Sequence, residues 1–253
     1  MTMFVKQYGQ GSRVFFGLHG WSGDHATFAP LVPFLPTDAT LYSVDLPGHG
    51  KSPSPAKWEL AALGQDIAAE ILRLPTDSVT LIGNCSGALL GLSALQEVPA
   101  LLKRVSRLVM LDPFAYTPWY FNLFVSPAWG PIGRYAYLST FANPLGRWLT
   151  NLSLKGHRTE DTDLTHSFRR IDHEVSYRYL QLLTSIGGIE TWRRIQLPTD
   201  IVYGAHSFGA IKTSVGMWQT LWPHARAHEL AGAGHLPIKE ATEALSKILF
   251  NPT

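Results

Sequence analysis

The residue with the clearest capacity for chemistry is Cys85, the only cysteine in the chain. It stands at the centre of the pattern G-N-C-S-G, residues 83–87, between an apolar run typical of a strand and a segment with helical spacing. A strand that turns sharply into a helix projects the residue at the turn above the sheet, and close backbone packing requires small residues two positions away on either side. Centring the pattern on Ser86 would put Asn84 and Ala88 at the small positions, which is a poorer fit. The pattern therefore predicts that Cys85 is a nucleophile.

The start of the predicted helix supports this interpretation, because its unpaired N–H groups favour a thiolate. The competing interpretation is a small buried apolar side chain, which is the commoner role of a lone cysteine. The strand–turn–helix context of Cys85 favours the nucleophile. A single cysteine also excludes an internal disulfide.

A nucleophile at such a turn needs a sheet beneath it, and the first half of the chain alternates short apolar runs with helical patterns. This alternation predicts a mostly parallel sheet flanked by helices. Strands are predicted over residues 14–18, 41–44, 79–82, 105–111, 201–204 and 226–230, and helices over residues 27–35, 58–74, 86–97, 213–221 and 237–250.

The alternation stops over residues 113–192, where the sequence predicts helices and no strand. Eleven aromatic residues lie within residues 113–150. Such side chains either pack the segment onto the sheet or line an apolar slot for an acyl chain or a flat aromatic group, and their number favours the slot. Trp119 and Phe124 are the predicted substrate contacts. The chain is thus expected to form one core, residues 1–112 and 193–253, with a helical, aromatic-rich lid inserted at residues 113–192.

Composition excludes several other classes of function. The formal net charge is +2, with 21 Lys and Arg against 19 Asp and Glu, which argues against nucleic acid or an anionic membrane surface as the main partner. No apolar run is long enough to span a membrane, the N-terminus lacks a signal-peptide pattern, and a cytoplasmic protein is expected. The ten histidines do not combine with other ligands at metal-site spacing, so we expect no metal and no cofactor.

Four segments in chain order resemble motifs of the α/β-hydrolase superfamily. They are H-G-W at residues 19–21, D-L-P-G-H-G-K-S at 45–52, the turn at 83–87, and G-H at 234–235 followed by Glu240. The resemblance covers nearly the whole chain and implies an α/β-hydrolase fold with a helical lid after strand 6, in the family's numbering of strands. The implied relatives are small esterases, thioesterases and carbon–carbon bond hydrolases.

By this resemblance, His235 is the general base, carried on a tight loop after the last strand. The family builds its oxyanion hole from two backbone N–H groups, which here belong to Trp21 and Ser86. The side chain of Trp21 is expected to wall the substrate pocket. His19 is expected to shape the loop that carries Trp21, here called the oxyanion loop, without taking part in the chemistry.

The acid of the triad departs from the usual family pattern. Most members carry it after the seventh strand, but residues 204–210 contain no carboxylate here, and Asp200 precedes that strand at the wrong end of the sheet. A minority carry the acid after the sixth strand, where Asp112 stands. The resemblance therefore assigns the acid to Asp112, while the alternative role for this residue is to cap the turn before Pro113.

A cysteine nucleophile influences which substrate the site can use. Attack of a thiolate on a thioester is close to energy-neutral, whereas attack on an oxygen ester produces a more reactive acyl species. The expected function is therefore acyl-thioester hydrolysis or acyl transfer by a Cys85-His235-Asp112 triad, on an apolar or aromatic acyl group carried by CoA or a carrier protein.

Two alternatives stay open. One is an ester, lactone or carbon–carbon bond hydrolase, since serine is the usual nucleophile and the sequence fits both a natural cysteine and one that replaces a serine. The other is a catalytically degenerate binding protein of the same fold, which the missing carboxylate in residues 204–210 would suit.

Overall fold

In the computed structural model, which describes residues 2–160 and 162–251, seven strands form one twisted sheet in the order β1-β3-β2-β4-β5-β6-β7. β1 pairs antiparallel with β3, and every other pairing is parallel, so the predicted mostly parallel sheet is confirmed. The strands are β1 Val5–Gly9, β2 Arg13–Leu18, β3 Ala39–Val44, β4 Val79–Asn84, β5 Val105–Leu111, β6 Thr199–Gly204 and β7 Arg226–Leu230.

All six strands predicted from apolar runs are present, and β5 and β7 have the predicted bounds. The strand that the sequence analysis missed is β1, whose residues are exposed or half-buried. It lies at the edge of the sheet and pairs from Val5 with Val44 to Gly9 with Thr40. An edge strand exposed in this way carries no apolar run, so local pattern alone does not reveal it.

Helices flank both faces of the sheet, as predicted. They are α1 Leu60–Leu72, α2 Ser86–Glu97, α3 Asn122–Val125, α4 Gly130–Tyr137, α5 Pro144–Ser153, α6 His173–Thr184, α7 Gly209–Leu221, α8 Pro237–Glu240 and α9 Thr242–Phe250. The apolar sides of α1, α2 and α7 share one core cluster with the sheet, and α8, α9 and a 3-10 helix at His25–Phe34 share the other.

Three predicted helices differ in detail from the structure. The helix predicted over 237–250 is broken at Ala241, whose φ of −141° and ψ of 44° are not helical. The helix predicted from residue 213 begins earlier, at Gly209. The segment predicted as a helix over 27–35 is 3-10 helical over His25–Phe34, where Pro30 and Pro33 remove two backbone donors.

The described residues within 113–192 form helices and no strand. This lid follows β5, the strand that the family's numbering counts as the sixth. Some of its aromatic residues pack together in a cluster of their own, which includes Tyr137, Phe141 and Phe168. Trp21 from the core joins this cluster, and its indole N–H donates to the backbone oxygen of Ser176 on α6 at 2.7 Å. No helix in the described part of the chain has both the length and the hydropathy to cross a membrane.

Two backbone hydrogen bonds across the carboxyl ends of adjacent strands bring the sequence-predicted residues together. The N–H of Cys85, just after β4, donates to Leu111 at the end of β5 at 2.7 Å. The N–H of Asp112, just after β5, donates to Val202 on β6 at 2.8 Å. Cys85 and Asp112 are therefore fixed by neighbouring strands at one edge of the sheet.

The small residues around Cys85 are required by the packing. A Cβ atom on Gly83 would lie 2.3 Å from the Cα of Ala88, and one on Gly87 would lie 2.4 Å from the carbonyl oxygen of Leu18. Both contacts are with backbone atoms that cannot move aside independently. The turn thus accepts glycine at both positions, which is the constraint that the sequence pattern around Cys85 suggested.

Candidate active site

Cys85 occupies a strained turn between β4 and α2. Its φ of 51° and ψ of −117° fall outside the conformations that residues with a side chain normally adopt. Among the described residues, Asp112, with φ 46°, is the one other non-glycine residue with positive φ. Backbone strain of this kind concentrates at functional sites, where surrounding structure holds it in place.

The structure brings His235 into contact with both of these residues. Its Nδ1 lies 2.8 Å from Oδ2 of Asp112, and its ring lies near enough to the side chain of Cys85 for that group to raise its pKa. The imidazole is largely buried and the Asp112 carboxylate fully so. Cys85, His235 and Asp112 therefore form one connected row of polar groups.

Asp112 is held by groups from other elements, and not from the turn that begins at Pro113. Its Oδ1 accepts from the backbone N–H of Gly204 at 3.0 Å, and the hydroxyl of Ser207 donates to Oδ2. Ser207 lies in the loop after β6, where most of the family carries the acid. The sequence shows that this loop lacks a carboxylate, but no pattern in it indicates the contact of Ser207 with Asp112.

The protonation of His235 follows from these neighbours. Burial by itself lowers the pKa of the imidazole, but the hydrogen bonds and negative charges of Asp112 and Cys85 outweigh it and raise the pKa to about 10. The site therefore favours the protonated form of His235. With Nδ1 committed to Asp112, Nε2 is the ring nitrogen left to exchange a proton with the sulfur.

A glutamate that the sequence motif contains without an assigned role holds the His235 loop in shape. Oε2 of Glu240 accepts from the backbone N–H of Gly234 at 2.8 Å and of Leu236 at 3.1 Å. Its Oε1 accepts from the backbone N–H of Thr159, a lid residue, at 2.8 Å. One carboxylate thus fixes the loop on both sides of His235 and ties it to the lid.

The loop that carries Trp21 lies against Cys85. A Cβ atom on Gly20 would lie 3.3 Å from the Cβ of Cys85, so the loop carrying Trp21 approaches the turn as closely as glycine allows. Neither the Trp21 nor the Ser86 backbone N–H donates to any group of the described residues. Two free donors beside a nucleophile are the arrangement that stabilises a developing oxyanion.

His19 fixes the shape of this loop from below, as expected. It is fully buried, and its Nε2 accepts from the backbone N–H of Leu46 at 3.0 Å. Nδ1 must then carry the proton that it donates to Gly20 O at 2.8 Å. Burial, together with the nearby His49, holds the pKa of His19 well below its ordinary value, so the ring is neutral.

Cys85 and His235 open into a cavity of about 1050 Å³ between the sheet and the lid. Of the predicted substrate contacts, Trp21 and Phe124 line this cavity. Trp119 does not line it, and 73% of its surface is exposed. Trp119 begins a short 3-10 turn, and the two residues that follow it, Tyr120 and Phe121, line the cavity instead. The sequence of an irregular segment does not show in which direction each side chain points. Aromatic and aliphatic residues that also line the cavity are Phe114, Tyr120, Phe121, Phe141, Leu154, Phe168, Leu180, Leu183 and Phe208.

No group of three or more His, Cys, Asp or Glu side chains among residues 2–160 and 162–251 is arranged to hold a metal ion. The polar groups that meet at the cavity floor are the thiol, the imidazole and the two backbone N–H groups. They can carry out nucleophilic attack, proton transfer and oxyanion stabilisation on a carbonyl substrate.

Curated proteins with similar sequences include several esterases. The pimeloyl-[acyl-carrier protein] methyl ester esterase of Salmonella agona is 26% identical, over 97% of this chain and 95% of that protein. The esterase of the same name from Methylococcus capsulatus is 28% identical over 47% of this chain, and the matched stretch spans 44% of that protein. The matches to several such relatives thus span less than half of their length.

Solved structures show the same fold at low sequence identity. A lipase-esterase related protein from Clostridium acetobutylicum superimposes with a TM-score of 0.76 at 15% identity, covering 98% of both chains. The enol-lactonase from Burkholderia xenovorans gives a TM-score of 0.75 at 17% identity, covering 98% of this chain and 94% of that one. The model of the alpha/beta hydrolase family matches residues 15–248. The chain therefore belongs to the alpha/beta hydrolase family.

Proposed function

We propose that this protein is an acyl-thioester hydrolase or acyltransferase that forms an acyl-enzyme on Cys85, with His235 as base and Asp112 as the acid that orients it. The observation that carries the proposal is the row of contacts from a cysteine at a strained turn, through His235, to a fully buried carboxylate. This row lies at the floor of a cavity large enough for an acyl chain.

The first half of the reaction uses the sulfur as nucleophile. With the proton of Cys85 held on Nε2 of His235, the sulfur forms a bond to the carbonyl carbon of the substrate. The backbone N–H groups of Trp21 and Ser86 donate to the oxyanion of the tetrahedral species. Its collapse breaks the substrate C–S bond, and His235 returns the proton to the leaving thiol.

The second half releases the acyl group. His235 takes a proton from water or from an acceptor hydroxyl, amine or thiol, whose atom then bonds to the acyl carbon. Collapse of the second tetrahedral species breaks the bond to Cys85, which regains the proton from His235. Asp112 stays ionised throughout and stabilises the imidazolium at each stage.

The choice of a thioester rests on the nucleophile, and the choice of carrier and acyl group rests on a sequence relative and on the cavity lining. A thiolate exchanges with another thioester at little cost in free energy, whereas its attack on an oxygen ester runs uphill. The sequence relative from Salmonella agona is named for an ester on an acyl-carrier protein, which supports an acyl group delivered by a carrier protein or CoA. The largely aromatic and aliphatic lining favours an apolar acyl group.

The second candidate is hydrolysis of a carboxylic ester or lactone by the same residues. The observation that favours it is the similarity to methyl ester esterases over nearly the full length of the chain. A degenerate binding protein is the weaker alternative, because such a protein would not need the strained turn or the two unused N–H donors beside it.

Substitution of Cys85 separates these candidates. We expect Cys85→Ala to lower turnover of acyl thioesters at least a thousandfold while the fold is retained, because the side chain is small and borders the cavity. Cys85→Ser should keep measurable ester hydrolysis and lose the thioester preference, since an alcohol depends more on its base. The measurement is kcat/KM on matched thioester and oxygen-ester substrates. Residual Cys85→Ala activity within about tenfold of the parent would remove Cys85 from the mechanism.

The position of the acid is testable separately. Asp112→Asn should lower kcat by about a hundredfold or more, because the amide neither stabilises the imidazolium nor fixes its orientation. Ser207→Asp in the same background should restore at least about tenfold of the lost kcat, since Ser207 already reaches Oδ2 of Asp112. Ser207→Ala in that background is the matched control and should restore nothing. A loss below about threefold in Asp112→Asn would indicate a Cys85–His235 dyad.

The raised pKa of His235 predicts an unusual titration. A folded-state pKa of about 10, above the ordinary 6.5, means that the imidazolium stabilises the fold fully below pH 6.5. That contribution is lost as the pH rises through about 10. NMR of ring-labelled histidine, with the His235 signal assigned by its absence in His235→Gln, measures the titration. Cys85→Ala and Asp112→Asn should each lower the pH midpoint of the His235 titration. A midpoint near 6.5 in the parent would contradict the ion pair between His235 and Asp112.

The cavity lining predicts dependence on acyl length. Each added methylene should raise kcat/KM roughly three- to fourfold until the cavity is filled, from about 0.8 kcal/mol per buried CH₂. Phe124→Ala should shift the optimum to a bulkier acyl group, because Phe124 lines the cavity. Trp119→Ala, in the same aromatic run but exposed, is the control and should leave the optimum unchanged. A flat profile across chain lengths would show that the aromatics serve only packing.

A further inference from the structure

The outer surface of the lid is unusually apolar. Large apolar side chains that are exposed number 14 among the described residues, and 11 of these lie between Tyr116 and Leu152. Proteins that stay monomeric in water seldom expose contiguous apolar patches of this kind. The 11 residues are Tyr116, Trp119, Tyr120, Leu123, Trp129, Ile132, Tyr135, Leu145, Trp148, Leu149 and Leu152, and of these Tyr116 and Tyr120 also line the cavity.

Helix α5 shows the arrangement most clearly. Leu145, Trp148, Leu149 and Leu152 follow the spacing i, i+3, i+4, i+7, which places them on one face of the helix. Each of these side chains is at least half exposed. Thr150 on the same helix lines the cavity. The apolar stripe of α5 therefore faces away from the protein, while the helix itself covers the cavity.

Exposed apolar residues also lie on the helix that precedes α5 in the chain. Ile132 and Tyr135 on α4 are exposed, 65% and 73% respectively. α4 runs into a π-helical segment, Leu138–Ala142, against which α5 packs so closely that a Cβ atom on Gly146 would lie 1.8 Å from Ser139 O. We call the exposed stripes of these two helices the apolar lid surface; it comprises Ile132, Tyr135, Leu145, Trp148, Leu149 and Leu152.

The segment that carries this surface is basic in net charge. Residues 113–159 contain four Lys and Arg and no Asp or Glu, a net charge of +4. The whole chain carries +2, so the remaining residues carry −2. The near-neutral total, which argued against an anionic surface, is the sum of two regions of opposite sign. Tryptophan and tyrosine rings are favoured at the level of lipid headgroups, and cations at their phosphates.

We propose that the apolar lid surface binds to an anionic phospholipid bilayer, with the stripe of α5 placed in the headgroup region. Helix α5, which covers the cavity, would then lie on the bilayer, in which amphiphilic acyl substrates dissolve. An acidic carrier protein fits this surface less well, because it would bind mainly through cations, whereas a bilayer also takes up the apolar stripe. Arg134 pairs with Glu174 at 2.8 Å, and the Arg147 guanidinium donates to backbone oxygens of residues 141 and 142. Apolar burial is therefore the dominant contribution, and the positive charge adds to it.

The test is co-sedimentation of the purified protein with extruded vesicles, which reads binding without any turnover. We expect the parent to bind vesicles of equal parts phosphatidylcholine and phosphatidylglycerol, and to bind pure phosphatidylcholine more weakly. The double variant Trp148→Glu, Leu149→Glu should lower the partition coefficient at least about tenfold. The matched control Leu72→Glu, Met217→Glu replaces exposed apolar residues outside the lid and should bind like the parent.

Three results would overturn the proposal. The first is a parent that does not sediment with either vesicle at millimolar lipid. The second is equal loss in the lid variant and the control. The third is a parent dimer that the lid variant dissociates without any vesicle binding, which would make a second copy the occupant. Circular dichroism of each variant confirms that the fold is retained, and because no substrate is used, failure here leaves the Cys85 chemistry untouched.

Discussion

The fully buried carboxylate of Asp112 is the interaction on which the rest of the site depends. It receives hydrogen bonds from Gly204 at the end of β6, from Ser207 in the following loop and from His235 in the loop after β7. A buried carboxylate is stable only when its lone pairs are satisfied in this way. The same bonds that stabilise the charge therefore fix the imidazole of His235 beside Cys85, so the contacts that stabilise the fold at this edge of the sheet also arrange the candidate site.

Trp21 links this edge to the lid. Its backbone N–H is free beside Cys85, while its ring packs against Phe141 and Phe168, and its indole N–H bonds to Ser176 on α6. Glu240 makes a second link, from the loop of His235 to Thr159. A shift of the lid would therefore displace both the loop that carries Trp21 and the loop that carries His235. Some of the aromatic side chains that attach the lid also line the cavity beneath it.

The sequence predicted those features that depend on local pattern. The turn around Cys85 was recognisable because the glycine spacing reflects backbone contacts within a few residues. β1 was missed because its partner, β3, lies about 35 residues away and its own residues are half polar. Trp119 was placed wrongly in the cavity because an irregular helical segment gives no periodicity from which to read the direction of a side chain. The contact of Ser207 with Asp112 joins two loops nearly a hundred residues apart, and no pattern in either loop indicates it.

The central claim is that Cys85 carries the acyl group, and trapping that species tests it most directly. The measurement is intact-protein mass spectrometry after brief incubation with a series of acyl-CoA thioesters, followed by peptide mapping. We predict a mass increase of one acyl group, located on the peptide that contains Cys85, and slower loss of this adduct in His235→Gln than in the parent. An unmodified Cys85 peptide in a preparation that turns the same thioesters over would contradict the account.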